Sequence, residues 1–142
     1  MSHPTLDLKR TYLALRRALE HTIKSFGFTG GQFDVLQMLM QVPELEHREL
    51  QRQLAISSPT LTNILDVLER NGHIRRSQSQ LDARVTVVKM TDEARSICFS
   101  KEFCDAGDKL VEEMFAGLST AEAFTLMKLL ARVESNLEKI SA

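Results

Sequence analysis

Residues 57–91 read SSPTLTNILDVLERNGHIRRSQSQLDARVTVVKMT, and this stretch decides the fold. Ser57 or Ser58 can N-cap a helix, with Pro59 at its first position, where a missing N–H costs nothing. Leu61, Ile64, Leu65 and Leu68 recur at three- and four-residue intervals, so one helical face is buried. The other face carries Ser58, Thr60, Thr62 and Asn63, short donors and acceptors suited to phosphates and base edges. Asn71-Gly72 ends the helix, because glycine adopts the left-handed C-cap conformation without strain. Residues 74–76 and 84–90 read as short strands, and the polar residues 78–83 between them read as a turn. Arg70, Arg75 and Arg76 lie close by, so a polar helix runs straight into a basic hairpin. That combination is a recognition helix with a wing, an arrangement that grips duplex DNA.

Working outward, the 142 residues are one domain's worth of chain, 43% hydrophobic and 26% charged, as in soluble globular proteins. With no Trp, one Tyr and strand-like sequence confined to residues 74–90, the expected class is mostly α (α+β). No apolar run approaches the ~18–20 residues that span a bilayer, and no signal-peptide core is visible. The expected location is cytoplasmic, where Cys98 and Cys104 would be reduced. The net charge of −1 hides an uneven distribution. Residues 70–89 hold five Lys/Arg against Asp82 alone, whereas residues 91–142 hold ten acids against six bases. Positive charge gathers on the hairpin, where nucleic acid would need it.

Leu8, Tyr12, Leu15, Leu19, Ile23 and Phe26 form one apolar stripe on a long first helix, closed by Gly27. Thr29 caps a second helix burying Phe33, Leu36, Leu39 and Met40, which stops before Pro43. Residues 46–54 form a short helix, and Ala55-Ile56-Ser57 turns it into the recognition helix. Thr91-Asp92-Glu93 opens a fifth helix along which Ile97, Cys104, Val111 and Leu118 repeat every seven residues. Ser119 and Glu122 make a capping box for a sixth. There Leu126, Leu130, Val133, Leu137 and Ile140 build a heptad-like seam. Apolar stripes on three long terminal helices exceed what a winged helix needs for its own core. A second copy explains them, with Leu8, Leu15 and the Leu126–Ile140 seam at the dimer interface. The alternative is a monomer folding these helices onto itself.

Several motifs resemble the MarR (multiple antibiotic resistance) type of regulator. They are Thr29-x-x-Gln32-x-x-Val35-Leu36, Glu49-Leu50-x-x-x-Leu54-x-Ile56-Ser57, Pro59-Thr60-Leu61-Thr62, Leu68-Glu69-x-x-Gly72-x-Ile74-x-Arg76, Asp82-x-Arg84 and Met90-Thr91. Residues 29–91 would then be a winged helix-turn-helix lobe, and residues 1–28 and 92–142 a helical dimerisation region of a single 142-residue unit. The resemblance implies a homodimeric regulator, a repressor relieved by a small-molecule effector, on a pseudo-palindromic double-stranded operator. Its recognition helix would enter the major groove. Arg84 would be the wing arginine in the minor groove, oriented by Asp82. A narrow minor groove attracts an inserted guanidinium, while the bland reading is a solvated Asp82–Arg84 pair worth ~0–1 kcal/mol. Ser57, Ser58, Thr60, Thr62, Asn63, Arg70, Arg75, Arg76, Asp82 and Arg84 are therefore the candidate DNA-binding residues.

Asn63, Val67 and Ala83 stand where many relatives carry basic residues, which favours a shallower salt dependence. Asn63 can read adenine bidentately or merely touch phosphate or water. Gln51 and Ala94 also replace smaller residues of the family pattern. A phenolic or carboxylate effector is the family-level expectation, and Arg16, Arg17 and His21 on the first helix are its candidate contacts. Otherwise the three line a solvated helix face.

No nucleophile elbow, phosphate loop or paired-carboxylate pattern is present, so no enzyme is expected, and no cofactor. His3, His21, His47 and His73 show no metal-ligand spacing. In one intact helix, residues six apart are separated by ~9 Å in rise, beyond the ~7 Å Cα limit for a disulfide. An intramolecular Cys98–Cys104 bridge is thus not expected, and a bridge between subunits stays open. Two further functions fit the residues: a winged-helix dimer that docks protein without DNA, and a cysteine-based redox-responsive regulator.

Overall fold

The capping chemistry read from the sequence sets the helix boundaries of the computed structural model, which describes residues 2–142. Helix α1 spans Pro4–Ile23 and passes through a 3₁₀ turn, Lys24–Phe26, to Gly27 at φ 85°. Thr29 and Gln32 form a capping box that starts α2, Gly30–Gln41. A two-residue strand β1, Leu45–Glu46, leads into α3, His47–Leu54, and then α4, Ser58–Arg70. Strands β2, Ile74–Gln78, and β3, Thr86–Met90, follow. The rest is helical: α5 over Asp92–Cys98, α6 over Lys101–Met114 and α7 over Thr120–Ile140. The chain divides into two units, the first ending at Gly107 and the second covering Asp108–Ala142. None of the helices is long and apolar enough to cross a membrane, among the described residues.

In the first unit α2, α3 and α4 close over a small antiparallel sheet of order β1-β3-β2, a winged helix. Ile74 pairs with Met90 and Gln78 with Thr86, so the hairpin register puts Ile74, Val88 and Met90 on the core side. Against them pack Val35, Leu36 and Leu39 from α2, Leu50 from α3, and Leu61, Leu65 and Leu68 from α4. Leu65 is fully buried. Leu65→Ala is expected to destabilise the protein by about 2–5 kcal/mol, the usual range for a Leu-to-Ala cavity, read by chemical denaturation.

Four expectations need correction. Pro59 is the second helical residue, because Ser57 is the cap and Ser58 begins the helix. The hairpin strands end at Gln78 and begin at Thr86, so residues 84 and 85 belong to the wing loop. Strand β1, too short to show a period, went unread; Leu45 and Glu46 pair with Val88 and Val87. The fifth helix is not continuous. Ser100 interrupts it by donating to the Ile97 carbonyl (2.8 Å) and accepting from the Phe103 amide (3.2 Å), which caps a new helix. The break sends Phe103 into an edge-to-face cluster with Phe26 and Phe28, at centroid distances of 4.8 and 6.4 Å.

That break also removes the premise of an intact helix between the cysteines. The Cys104 thiol lies 3.9 Å from the Cys98 carbonyl oxygen. Cys98 itself is buried, and burial pushes its thiol up to about 11, the opposite of activation.

In the second unit, α7 starts from the Ser119–Glu122 capping box. Val133, Leu137 and Ile140 are 38%, 55% and 80% exposed on it, and Leu126 is exposed as well. Leu130 is half-buried. In the first unit, Leu8 on α1 is also exposed and Leu15 half-buried. Within each unit, much of this apolar surface on α1 and α7 is exposed.

Candidate nucleic-acid interface

Helix α3 ends at Ala55, which takes the left-handed conformation at φ 53°. Its amide and that of Ile56 return to the carbonyls of Arg52 and Gln51. The chain then turns into α4, where Ser57 accepts from the Thr60 amide at 3.3 Å. The Ser57 and Thr60 hydroxyls lie 2.8 Å apart, and the Ser58 hydroxyl lies 3.5 Å from His47 Nε2. At about 100° per residue, Pro59, Asn63 and Arg70 share the outermost line of α4, with Thr60 beside it. All four are exposed, whereas Thr62 is half-buried on the flank that also carries Asp66 and Glu69. Helix α4 stops in a Schellman turn: Gly72 at φ 79° donates to the Glu69 carbonyl, and His73 to that of Leu68.

The wing is stiffened from within. Ser79 and Val85 bond across its base at 2.8 Å, and the Val85 amide reaches the Asp82 carbonyl at 3.0 Å. Asp82 accepts from the Arg84 amide (3.0 Å), from Nε (3.1 Å) and from Nη2 (3.2 Å). The Arg84 side chain is nevertheless 91% exposed. The hydrogen bond from the Arg84 side chain, then that from its amide, holds the Asp82 carboxyl below the usual carboxylate range. A fixed, solvent-facing guanidinium at a hairpin tip is preorganised for an anionic groove.

Arg76 departs from its expected place among the free cations. Its Nη2 donates to Glu69 at 2.7 Å and lies 2.8 Å from Asp66, its Nε reaches Glu69 at 3.1 Å, and its amide donates to the same carboxylate. Arg76 thus ties β2 to the recognition helix and sets the angle between wing and helix. Arg70 and Arg75 are exposed and carry no carboxylate partner among the described residues.

The Arg76 bonds, first the side-chain one and then the backbone one, hold the Glu69 carboxyl below its ordinary value. A depressed folded-state value means the stabilisation is full above the unfolded carboxyl's ~4.3 and is lost as pH falls through the folded value. Glu69→Gln is therefore expected to lose less melting temperature than wild type between about pH 5 and 3. Equal losses in thermal melts would remove the latch from acid stability.

Of the three expected effector contacts, Arg16 lines a cavity. It bonds Asp34 of α2 and Glu20, 3.2 Å away on its own helix. The cavity beside it measures about 260 Å³ and is walled by Tyr12, Asp34, Leu54, Ile56, Ile64 and Thr60 of the recognition helix, among others. Arg17 and His21 are exposed and lie off it.

The MarR family model matches residues 28–86, the span from the second helix into the wing. An uncharacterized HTH-type transcriptional regulator of Bacillus subtilis, YdgJ, is 29% identical over 82% of this chain and 70% of its own length. A cysteine-to-serine variant of E. coli MarR, solved with operator DNA, superposes with a TM-score of 0.77. It is 27% identical, over 92% of this chain and 93% of that one. Bordetella bronchiseptica BpsR, described with regulation of its DNA binding by 6-hydroxynicotinic acid, shares the fold. Its TM-score is 0.77 and its identity 22%, over 94% of each chain.

Proposed function

We propose that this chain is a member of the MarR family of DNA-binding transcriptional regulators, which it resembles in sequence and fold, and that it acts as a homodimeric repressor of a pseudo-palindromic operator. The observation that carries this reading is the exposed polar face of α4 set beside a wing whose Arg84 is presented by Asp82. Residues 29–91 serve as the DNA-binding lobe, while residues 1–28 and 92–142 pair two copies. Ser57, Ser58, Thr60, Asn63, Arg70 and Arg75 meet the major groove and its phosphates, and Thr62 borders that contact. Arg76 acts behind them as a positioning residue. The bound partner being chromosomal DNA, the protein works in the cytoplasm, and regulation rather than catalysis is its activity.

The effector seat is the cavity at Arg16 and Asp34. At about 260 Å³ it lies below the ~300–1,000 Å³ of drug-sized sites and suits a single ring bearing a phenol, whose hydroxyl can donate to the Asp34 carboxylate. A ligand there touches Thr60 and Ile56, so it acts directly on the start of the recognition helix.

The test is selection of random duplex DNA by the purified protein. Enrichment of a palindrome with half-sites about 10 base pairs apart supports the reading. Absence of any enriched sequence, with weak binding indifferent to salt, would overturn it.

A further inference from the structure

The turn of the wing, residues 78–83, is polar except at Leu81 and Ala83, and Leu81 is 98% exposed. Among the described residues of the 29–91 lobe, the next most exposed large apolar side chain is Val42, at 37%. The turn does not require a leucine. Its bonds run from the Ser79 amide to the Val85 carbonyl, from the Val85 amide to the Asp82 carbonyl, and from the Arg84 amide to the Asp82 carboxylate. Leu81 contributes its own amide, which donates to the Ser79 hydroxyl at 3.2 Å, and any residue but proline would supply the same donor. Those bonds hold the backbone on both sides of Leu81, so its side chain stands in water on a fixed stem. An apolar side chain placed there adds nothing to the core, and it gains only when a partner covers it.

We infer that Leu81 is a specificity-determining residue of the wing, packing into the minor groove and selecting A·T over G·C at the base pairs it covers. The inference rests on the DNA-binding reading above and adds base selection to a wing whose arginine supplies charge. Leu81 and Arg84 share the loop between Gln78 and Thr86, so a wing that carries one into the groove carries the other. The minor groove is about 6 Å wide, and its floor shows acceptors on every base pair but a donor, the guanine 2-amino group, on G·C alone. A leucine side chain has neither donor nor acceptor. Over A·T it packs against the sugar walls, as apolar side chains inserted into minor grooves do. Over G·C it meets the projecting amino group and strips its water without offering an acceptor, so that donor is left unpaired. Arg84 responds to the potential and width of the groove, whereas Leu81 responds to one substituent of one base.

The test uses the full-length protein and its selected operator. Base pairs under the wing are located as those whose hydroxyl-radical protection is lost in Arg84→Ala. They are then replaced by G·C, or by inosine·cytosine, which keeps the major-groove edge of G·C and lacks the 2-amino group. Wild type is expected to bind the G·C operator about 10-fold more weakly than the A·T one, and the inosine operator within about 2-fold of the A·T one. Leu81→Ala should bind the G·C and inosine operators equally, with the slope of log K against log salt unchanged, because no phosphate contact is lost. Leu81→Asn, whose side-chain oxygen can accept from the amino group, should gain affinity for the G·C operator over wild type. A Leu81→Ala protein that still separates G·C from inosine overturns the assignment while sparing the regulator reading. So does a wild type that binds the G·C and inosine operators alike, or a selected operator with G·C pairs under the wing. Failure to enrich any operator overturns both.

Discussion

Arg84→Ala should weaken operator binding by about 10²-fold in the homodimer, with the melting temperature scarcely changed. The guanidinium is almost fully exposed and is paired, among the described residues, with the Asp82 carboxylate, and exposed pairs contribute ~0–1 kcal/mol to stability. At the groove the arithmetic differs. Ordering a free arginine costs ~1.5–2 kcal/mol of rotamer entropy, and here Asp82 has already confined it through two side-chain bonds. A good contact then contributes ~1–3 kcal/mol per copy, and a two-fold dimer makes it twice. Arg84→Lys should restore little, because an ammonium cannot hold the same two-point bond with Asp82. Asp82→Ala should fall between wild type and Arg84→Ala, since the cation persists but wanders. Fluorescence anisotropy on the selected operator reads all three. Unchanged affinity in Arg84→Ala would remove the wing from the interface.

Leu137→Glu is expected to raise the dimer dissociation constant by about 10³-fold or more, because pairing would desolvate a carboxylate on each copy at several kcal/mol apiece. The protomer should still fold, since Leu137 is 55% exposed on α7 in the single chain. A monomer engages one half-site only, so operator affinity should fall with the dimer. Light scattering reads the mass and anisotropy the DNA. A Leu137→Glu protein that remains dimeric would take the seam at Leu126, Leu130, Val133, Leu137 and Ile140 out of the interface.

Much of this architecture could be read locally. Ser57, Thr91 and Ser119 cap the helices assigned to them, and Gly27 and Gly72 take the left-handed turns that closed them. Asp82 and Arg84 bond as their two-residue spacing suggested. Each of these outcomes depends on residues within four positions of one another, where covalent geometry leaves few choices. The break at Ser100 was hidden by a heptad repeat that runs unbroken through it. What favours the break is the burial of Phe103 against Phe26 and Phe28, more than 70 residues away in the chain.

Side-chain pairing across elements was not legible. Arg75 and Arg76 are adjacent and chemically identical, yet Arg75 stays in solvent while Arg76 is committed to Glu69 and Asp66. Strand alternation sends neighbours to opposite faces, but which face meets α4 depends on the hairpin register and the packing of Ile74 and Val88. Arg16 and Arg17 divide in the same way, the first onto Asp34 and the second into water. One groove is lined by both Arg48 and Arg84, side chains 36 positions apart that no spacing rule links. Most helix caps, the existence of the hairpin and the polar face of the recognition helix were legible in the residues alone, because those follow from short-range sterics and hydrogen bonds, whereas β1 and the break at Ser100 were not. Only the tertiary structure decided which cations remain free for an anion, because that depends on which carboxylates the packed core brings within about 3 Å of them.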